Sequence, residues 1–226
     1  MIRMQTELAV LDMAGTTVRD DGLVIRAFDE AATAVGLPEA GPERDRARRY
    51  VLDTMGQSKI EVFGALFGTD ERAREANAAF EQAYGDFVDG DVSPIPGAAE
   101  AISALRDAGV RVALTTGFSP ATQQRILDAL GWGDIADVVL APGPGVRGRP
   151  HPDLVLTALM RAGVDDVRKV AVVGDTSTDI VCGLRAGAAT VAGVLTGAHD
   201  EPALRAAGAS HVLDSVAALP DLLLAA

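Results

Sequence analysis

A chain of 226 residues, 48% hydrophobic and 23% charged, suits one or two compact domains with a substantial core rather than a disordered or fibrous protein. A formal charge of −12 argues against a nucleic-acid partner, and the apolar runs are too short to span a bilayer. No apolar leader precedes Glu7, so no membrane partner and a cytoplasmic location are the expectation, while the single cysteine, Cys182, excludes an intrachain disulfide framework or a multi-cysteine metal site.

The first element is a short apolar run, Leu8-Ala9-Val10-Leu11, ending at Asp12 and followed by the small turn Ala14-Gly15. It reads as a buried strand with a carboxylate at its mouth, where α/β sheets bind ligands. From 20 to 36 the apolar residues Val24, Ile25, Phe28, Ala31, Ala32 and Val35 recur at helical spacing. Further helical patterns cover 44–52, 58–67 and 71–88, with the turn Met55-Gly56-Gln57-Ser58 between the first two. No strand pattern interrupts this region, which reads as an all-helical cap over 18–90, leaving 1–17 and 91–226 as the core.

From Gly97 the elements alternate. Helices are expected over 97–108, 120–130, 152–162, 179–186, 201–207 and 215–224, with strands over 110–115, 137–140, 169–173, 190–195 and 211–213. Alternation at this spacing predicts an α/β fold, a doubly wound parallel sheet with helices on both faces.

The strand ends carry polar residues: Asp12, then Thr115-Thr116-Gly117, then Gly174-Asp175-Thr176-Ser177-Thr178-Asp179. Asp12 and Asp175, from different strands, are a natural seat for Mg²⁺, which takes few protein oxygens and keeps waters for a phosphate. The Thr116 hydroxyl with the Gly117 amide suits phosphoryl oxygens, and Arg149 on a glycine-flanked loop balances charge. Taken singly, Thr116 also fits a strand-end cap, Arg149 a surface charge, and Asp175 and Asp179 the acids favoured at a helix N-terminus.

The ordered set resembles the haloacid dehalogenase superfamily of phosphotransfer enzymes over essentially the whole chain. That resemblance implies a Rossmann-like core, Asp12 as the nucleophile that becomes an aspartyl phosphate, and Thr116 on a phosphoryl oxygen. It implies Arg149 in a position usually held by Lys, and Mg²⁺ held by Asp12, the Ala14 carbonyl and Asp175, with Asp179 in support directly or through water. Superfamily phosphatases normally carry a second Asp two positions after the nucleophile as the leaving group's acid; Ala14 stands there and donates no proton.

Only two of the 20 Lys and Arg residues are lysines, Lys59 and Lys169. A desolvated lysine becomes a neutral amine and forms an imine, which arginine does not. Lys169 has an ordinary place beside Arg168 at a strand start. Lys59 lies in Met55-Gly56-Gln57-Ser58-Lys59, and this motif, with 12–18, 115–117, 148–150 and 174–176, is similar to the phosphonoacetaldehyde hydrolase (phosphonatase) family. The resemblance implies Lys59 as a Schiff-base lysine, Met55 and Gly56 beside the substrate with Gly117, a small phosphonate aldehyde as substrate, and a homodimer. Met13, Leu23, Val62 and Phe118 stand where that family usually carries Trp, Cys, His and Tyr. Two other readings remain open: a phosphomonoesterase on the same core, and a phosphate-binding regulatory protein without catalysis.

The remaining polar singletons have bland readings. Cys182 is expected buried on a helix, Trp132 packed at a helix end, and His151 at a cap or rim, while His199 and His211 lack carboxylate spacing for a metal.

Overall fold

The computed structural model describes residues 5–68 and 70–225. Six parallel strands form one sheet: β1 Leu8–Asp12, β2 Arg111–Thr115, β3 Val138–Leu140, β4 Val170–Gly174, β5 Thr190–Val194 and β6 His211–Leu213. Their order across the sheet is β3-β2-β1-β4-β5-β6. Every residue of β1 and of β4 is buried, as strands covered on both faces must be, which is why they read as unbroken apolar runs. The expected α/β class is therefore met.

This order places the ligand crevice. Strand order reverses direction at β1, whose neighbours are β2 and β4, so the connections leaving β1 and β4 diverge to opposite sides of the sheet. The registers Asp12 opposite Thr115 and Leu11 opposite Val173 bring three strand mouths to one level. Asp12, Thr116 and Asp175 consequently emerge side by side.

Of the five helices described between β1 and β2, the first four form a layer of their own: α1 Leu23–Ala34, α2 Pro42–Asp53, α3 Lys59–Phe67 and α4 Asp70–Asp91. They share an aromatic centre. Phe63 stacks on Phe28 at 6.3 Å and meets Phe80 edge-on at 5.8 Å, while Phe80 stacks on Tyr84 at 5.8 Å. Tyr84 in turn lies 4.4 Å from Phe118, in the loop after β2, so the aromatic packing runs continuously from the helical layer into the crevice wall. The two crossings into this layer are tied together: the Ile95 amide donates to Thr17 O at 2.9 Å and the Arg19 amide to Ser93 O at 2.9 Å.

The remaining helices flank the sheet: α5 Ala98–Asp107, α6 Pro120–Leu130, α7 Asp153–Ala162, α8 Ser177–Ala186, α9 Glu201–Ala206 and α10 Leu219–Leu224. Two differ informatively from expectation. Helix α8 begins at Ser177 rather than Asp179, because Thr176 caps it and Asp179, three residues in, reaches back to the Thr176 amide, a reciprocal capping box. The expected 215–224 helix is a 3₁₀ turn, Val216–Ala218, capped by Ser215, then α10, which restarts with Pro220 in its first turn. Cys182 is buried on α8 and Trp132 is buried just past α6. Among the described residues no helix is long and apolar enough to cross a membrane.

Phe80 also stacks on Phe118 at 6.2 Å, so it joins three ring contacts, and it is fully enclosed. Truncating a buried phenylalanine to alanine costs about 3–5 kcal/mol. Phe80→Ala is expected to lower the urea midpoint by a corresponding amount, measured by far-UV circular dichroism.

Candidate active site

Asp12 closes β1 and is buried, so its carboxylate must be met by the protein itself. Arg149 meets it: Nη1 donates to Asp12 Oδ1 at 2.6 Å. The same guanidinium donates through Nε to Asp179 Oδ1 at 2.8 Å, through Nη2 to Thr115 Oγ1 at 2.6 Å and through Nη1 to Gly56 O at 3.4 Å. All three nitrogens are thus used. Burial works against the Arg149 charge, and Asp179 and Asp12 more than reverse it, leaving the guanidinium firmly protonated.

Asp175 follows β4 and lies in a tight cradle. Its Oδ1 accepts from Thr16 Oγ1 at 3.2 Å and its Oδ2 from the Ala198 amide at 2.7 Å. A side-chain carbon on Gly15 would come within 2.5 Å of Asp175 Oδ2, and one on Gly197 within 1.9 Å, so both loops reach the carboxylate only as glycine. Gly15 also takes a φ of 87°, in the left-handed region. His199, two residues from Gly197, anchors this loop by accepting from the Ser177 amide at its Nδ1 at 2.9 Å.

Three buried carboxylates therefore face one buried guanidinium. Burial raises Asp12 well above the usual carboxylate range, Arg149 opposes that rise, and Asp179 and Asp175 add to it. Burial and then Asp179 push Asp175 up to about 7. The site carries an excess of desolvated negative charge.

The turn 55–58 is clamped onto this core. Thr178 Oγ1 donates to Met55 O at 2.8 Å, and the Lys59 amide donates to Gly117 O at 3.3 Å. Glycine makes the approach possible: a Cβ on Gly117 would fall 2.5 Å from Gln57 O, and one on Gly56 would fall 2.5 Å from Thr178 Oγ1. The clamp delivers Lys59, first residue of α3, into the crevice. Its side chain is buried, with Nζ 5.5 Å from the centroid of the Phe118 ring, and desolvation lowers its pKa to about 8.

A cavity of about 530 Å³ opens in front of these groups. Its wall includes Asp12, Ala14, Thr116 and Asp175 from the core, Met55, Gly56 and Lys59 from the clamp, and Gly117 between them. The predicted residues are thus brought together, with two departures. Arg149 and Asp179 lie behind the wall, not on it. Asp179 had been expected at a metal; instead its Oδ1 is taken by Arg149 and its Oδ2 by the Thr176 amide, so it orients the arginine. Of the four positions that depart from the phosphonatase pattern, only Phe118 is on the wall, whereas Met13, Leu23 and Val62 are buried away from it.

Sequence reading missed Asp20, which lines the same cavity as Lys59 and was taken for the start of a helix. It also missed Thr16 and Thr178, whose contacts span more than 100 positions of chain, and the Gly197-Ala198 loop, which meets Asp175 across 23, and none of these leaves a local pattern. His151 turns its carbonyl to the Cys182 thiol, and His211 pairs with neighbouring Ser210, both away from the cavity. Lys169 forms an ion pair with Glu7.

Comparisons with known proteins agree with this geometry. Residues 6–187 match a family described as haloacid dehalogenase-like hydrolase. The chain is 28% identical to a protein of Dickeya dadantii named "Probable phosphatase IndB", over 92% of this chain and 89% of that one. It is 30% identical to a phosphonoacetaldehyde hydrolase of Pseudomonas putida, over 84% of this chain and 74% of that one. Among solved structures, a phosphonoacetaldehyde hydrolase like protein from Oleispira antarctica superimposes with a TM-score of 0.84 at 25% identity, covering 98% of this chain and 92% of that one.

Because Arg149 uses three nitrogens on four partners, a point charge does not replace it. Arg149→Lys is expected to lower turnover at least about tenfold, about 1.4 kcal/mol in barrier, and to lower the thermal midpoint, checked by steady-state phosphate release and differential scanning calorimetry.

Proposed function

The chain belongs to the haloacid dehalogenase-like hydrolases, and from that premise we propose that it cleaves the C–P bond of a small phosphonate aldehyde through an aspartyl phosphate and a Lys59 imine. In this reading residues 18–90 form the cap and the rest the core. The observation that carries it is a buried amine, Lys59, with its pKa lowered to about 8, on the wall of one cavity with Asp12 and with Ala14 where a leaving-group acid would stand.

The chemistry follows from those groups. Arg149 fixes Asp12 through Oδ1, which leaves Oδ2 to attack phosphorus. Thr116 Oγ1 accepts from the Phe118 amide at 3.2 Å, so its own proton is free for a phosphoryl oxygen. A carbon leaving group needs an electron sink rather than a proton donor. The Lys59 amine supplies one by condensing with the aldehyde; as phosphorus passes to Asp12, the C–P electrons move into the iminium and give an enamine, and water later releases phosphate from Asp12.

Among the described residues no cluster of three His, Cys, Asp or Glu side chains suits a metal. A cation here would instead take few protein oxygens, and the excess of buried negative charge at Asp12 and Asp175 fits a hard divalent ion. Asp12, Asp175 and the Ala14 carbonyl would hold Mg²⁺, which supplies charge neutralisation for the phosphoryl group when bound.

A phosphomonoester phosphatase is the second reading, favoured by the relative named a phosphatase, which matches more of both chains than the phosphonoacetaldehyde hydrolase does. The two are separable. If Lys59 forms the imine, Lys59→Arg and Lys59→Ala both abolish release of phosphate from phosphonoacetaldehyde, and borohydride with that substrate traps an adduct mapping to Lys59 by peptide mass spectrometry. Parental turnover in both variants, or no adduct with any phosphonate aldehyde the enzyme cleaves, rejects the imine and leaves the phosphatase.

The pH dependence has a definite sign. Below its pKa Lys59 is an ammonium without a lone pair, so kcat/KM for the phosphonate aldehyde is expected to rise through about pH 8 and level off above it. Ala14→Asp restores an acid beside Asp12 and is expected to raise phosphomonoester hydrolysis over the parent, measured on the same protein preparation.

A further inference from the structure

Imine chemistry moves protons, and the positions where the phosphonatase pattern carries titratable groups are here Leu23, Val62 and Phe118, all apolar, with only Phe118 on the cavity wall. The cavity must supply the proton carrier from elsewhere. Asp12 is committed to phosphorus and held by Arg149; Asp175 is held by Thr16 and Ala198. Tyr84 is fully buried with its phenol pushed well above the ordinary value by desolvation, then by Asp20, which makes it a poor proton source. Asp21 is exposed at the rim.

Asp20 remains. It lines the same cavity as Lys59, at the entrance to α1, and its Oδ1 accepts from the Val24 amide at 3.2 Å. That bond, with a second from the Gly22 amide, fixes the carboxyl at the first turn of the helix. Asp20 is also the strongest charge acting on Lys59, ahead of Asp12, and Lys59 is the strongest charge acting on Asp20. Desolvation raises the Asp20 carboxyl above its ordinary value, against the Val24 amide and the Lys59 charge, which makes it a stronger base than an exposed carboxylate.

We propose that Asp20 is the acid–base residue of the Lys59 imine, carrying the protons that its formation and hydrolysis exchange. This rests on the reading of Lys59 as the condensing amine. The neutral amine adds to the aldehyde carbon, and the C–O electrons become an alkoxide beside a cationic nitrogen. Solvent protonates that oxygen, and the Asp20 carboxylate takes a proton from the nitrogen and returns it to the hydroxyl, which leaves as water with its bonding pair. The products are the iminium, water and the Asp20 carboxylate. After C–P cleavage the enamine carbon takes a proton from solvent; water then adds to the new iminium, and Asp20 takes the proton that this water gives up and passes it to the nitrogen, so that the C–N bond breaks with its pair on the amine and the departing aldehyde returns a proton to solvent.

Asp20→Asn keeps the size and the acceptor for the Val24 amide while removing the exchangeable proton. It is expected to lower kcat on phosphonoacetaldehyde about 100-fold or more and to slow the borohydride-trapped Lys59 adduct by the same factor. Hydrolysis of p-nitrophenyl phosphate by the same variant, which needs no imine, is expected to stay within about threefold of the parent, a split that a folding defect would not produce. Asp20→Glu is expected to recover at least about a tenth of parental adduct formation. An Asp20→Asn enzyme that forms the adduct at the parental rate overturns the role of Asp20 alone. An equal loss on both substrates without rescue by Asp20→Glu also overturns it, by showing a structural role. A parent that yields no adduct overturns the imine reading and this inference with it.

Discussion

The guanidinium of Arg149 is the contact on which the site depends. It is a buried cation between two buried carboxylates, Asp12 and Asp179, and each group is admissible only because the others are present. Removing one partner from such an arrangement typically costs about 3–5 kcal/mol, since the charges left behind cannot return to water. The planar fork sets direction as well as charge. With Nε on Asp179 and Nη2 on Thr115, the remaining nitrogen, Nη1, meets one oxygen of Asp12 and, at longer range, Gly56 O. The strand-end carboxylate is thereby held in one orientation at the cavity wall. Asp179 has a double duty, closing the capping box of α8 with one oxygen and aiming the arginine with the other.

The same arginine joins the site to the helical layer above it. Its bond to Gly56 O is one of several between the turn 55–58 and the core, together with Thr178 to Met55 O and the Lys59 amide to Gly117 O. These are backbone contacts on the turn's side, so they depend on how closely two chains approach rather than on side-chain chemistry. Gly56 and Gly117 permit that approach. Lys59 enters the cavity from a helix whose first turn is fastened to the catalytic core, and its amine is desolvated because the layer is closed over it. The aromatic run from Phe63 through Phe80 and Tyr84 to Phe118 continues the closure on the apolar side.

The cavity thus has two chemical faces. Toward the sheet it is crowded with carboxylates whose charge exceeds that of their one guanidinium, a setting for a cation and a phosphoryl group. Toward the helices it carries an amine of lowered pKa beside the Phe118 ring and a separately anchored carboxyl, Asp20. The substrate proposed above, with an anionic phosphorus end and a carbonyl end, would suit such a division, and the burial of Lys59 that lowers its pKa is the same burial that closes the layer.

The sequence by itself determined the α/β class, since buried parallel strands are written as continuous apolar runs and the helices between them as amphipathic ones; it also determined the family, through the short motifs at the strand mouths. Asp12, Thr116, Asp175 and Lys59 were legible because each sits at the end of an element or in a local motif. The tertiary structure alone decided which of these charges meet. That Arg149 and Asp179 stand behind the cavity wall follows from a fork reaching across strands, and no local pattern encodes the direction of a side chain. The start of α8 was misread for a related reason, because Asp179 looks like any acid in a first helical turn until the Thr176 cap fixes its place. Asp20 was invisible as a site residue: at the head of the 20–36 helical pattern it reads as a helix start, and only the fold of the four helices back over the sheet brings it to the cavity that Lys59 lines.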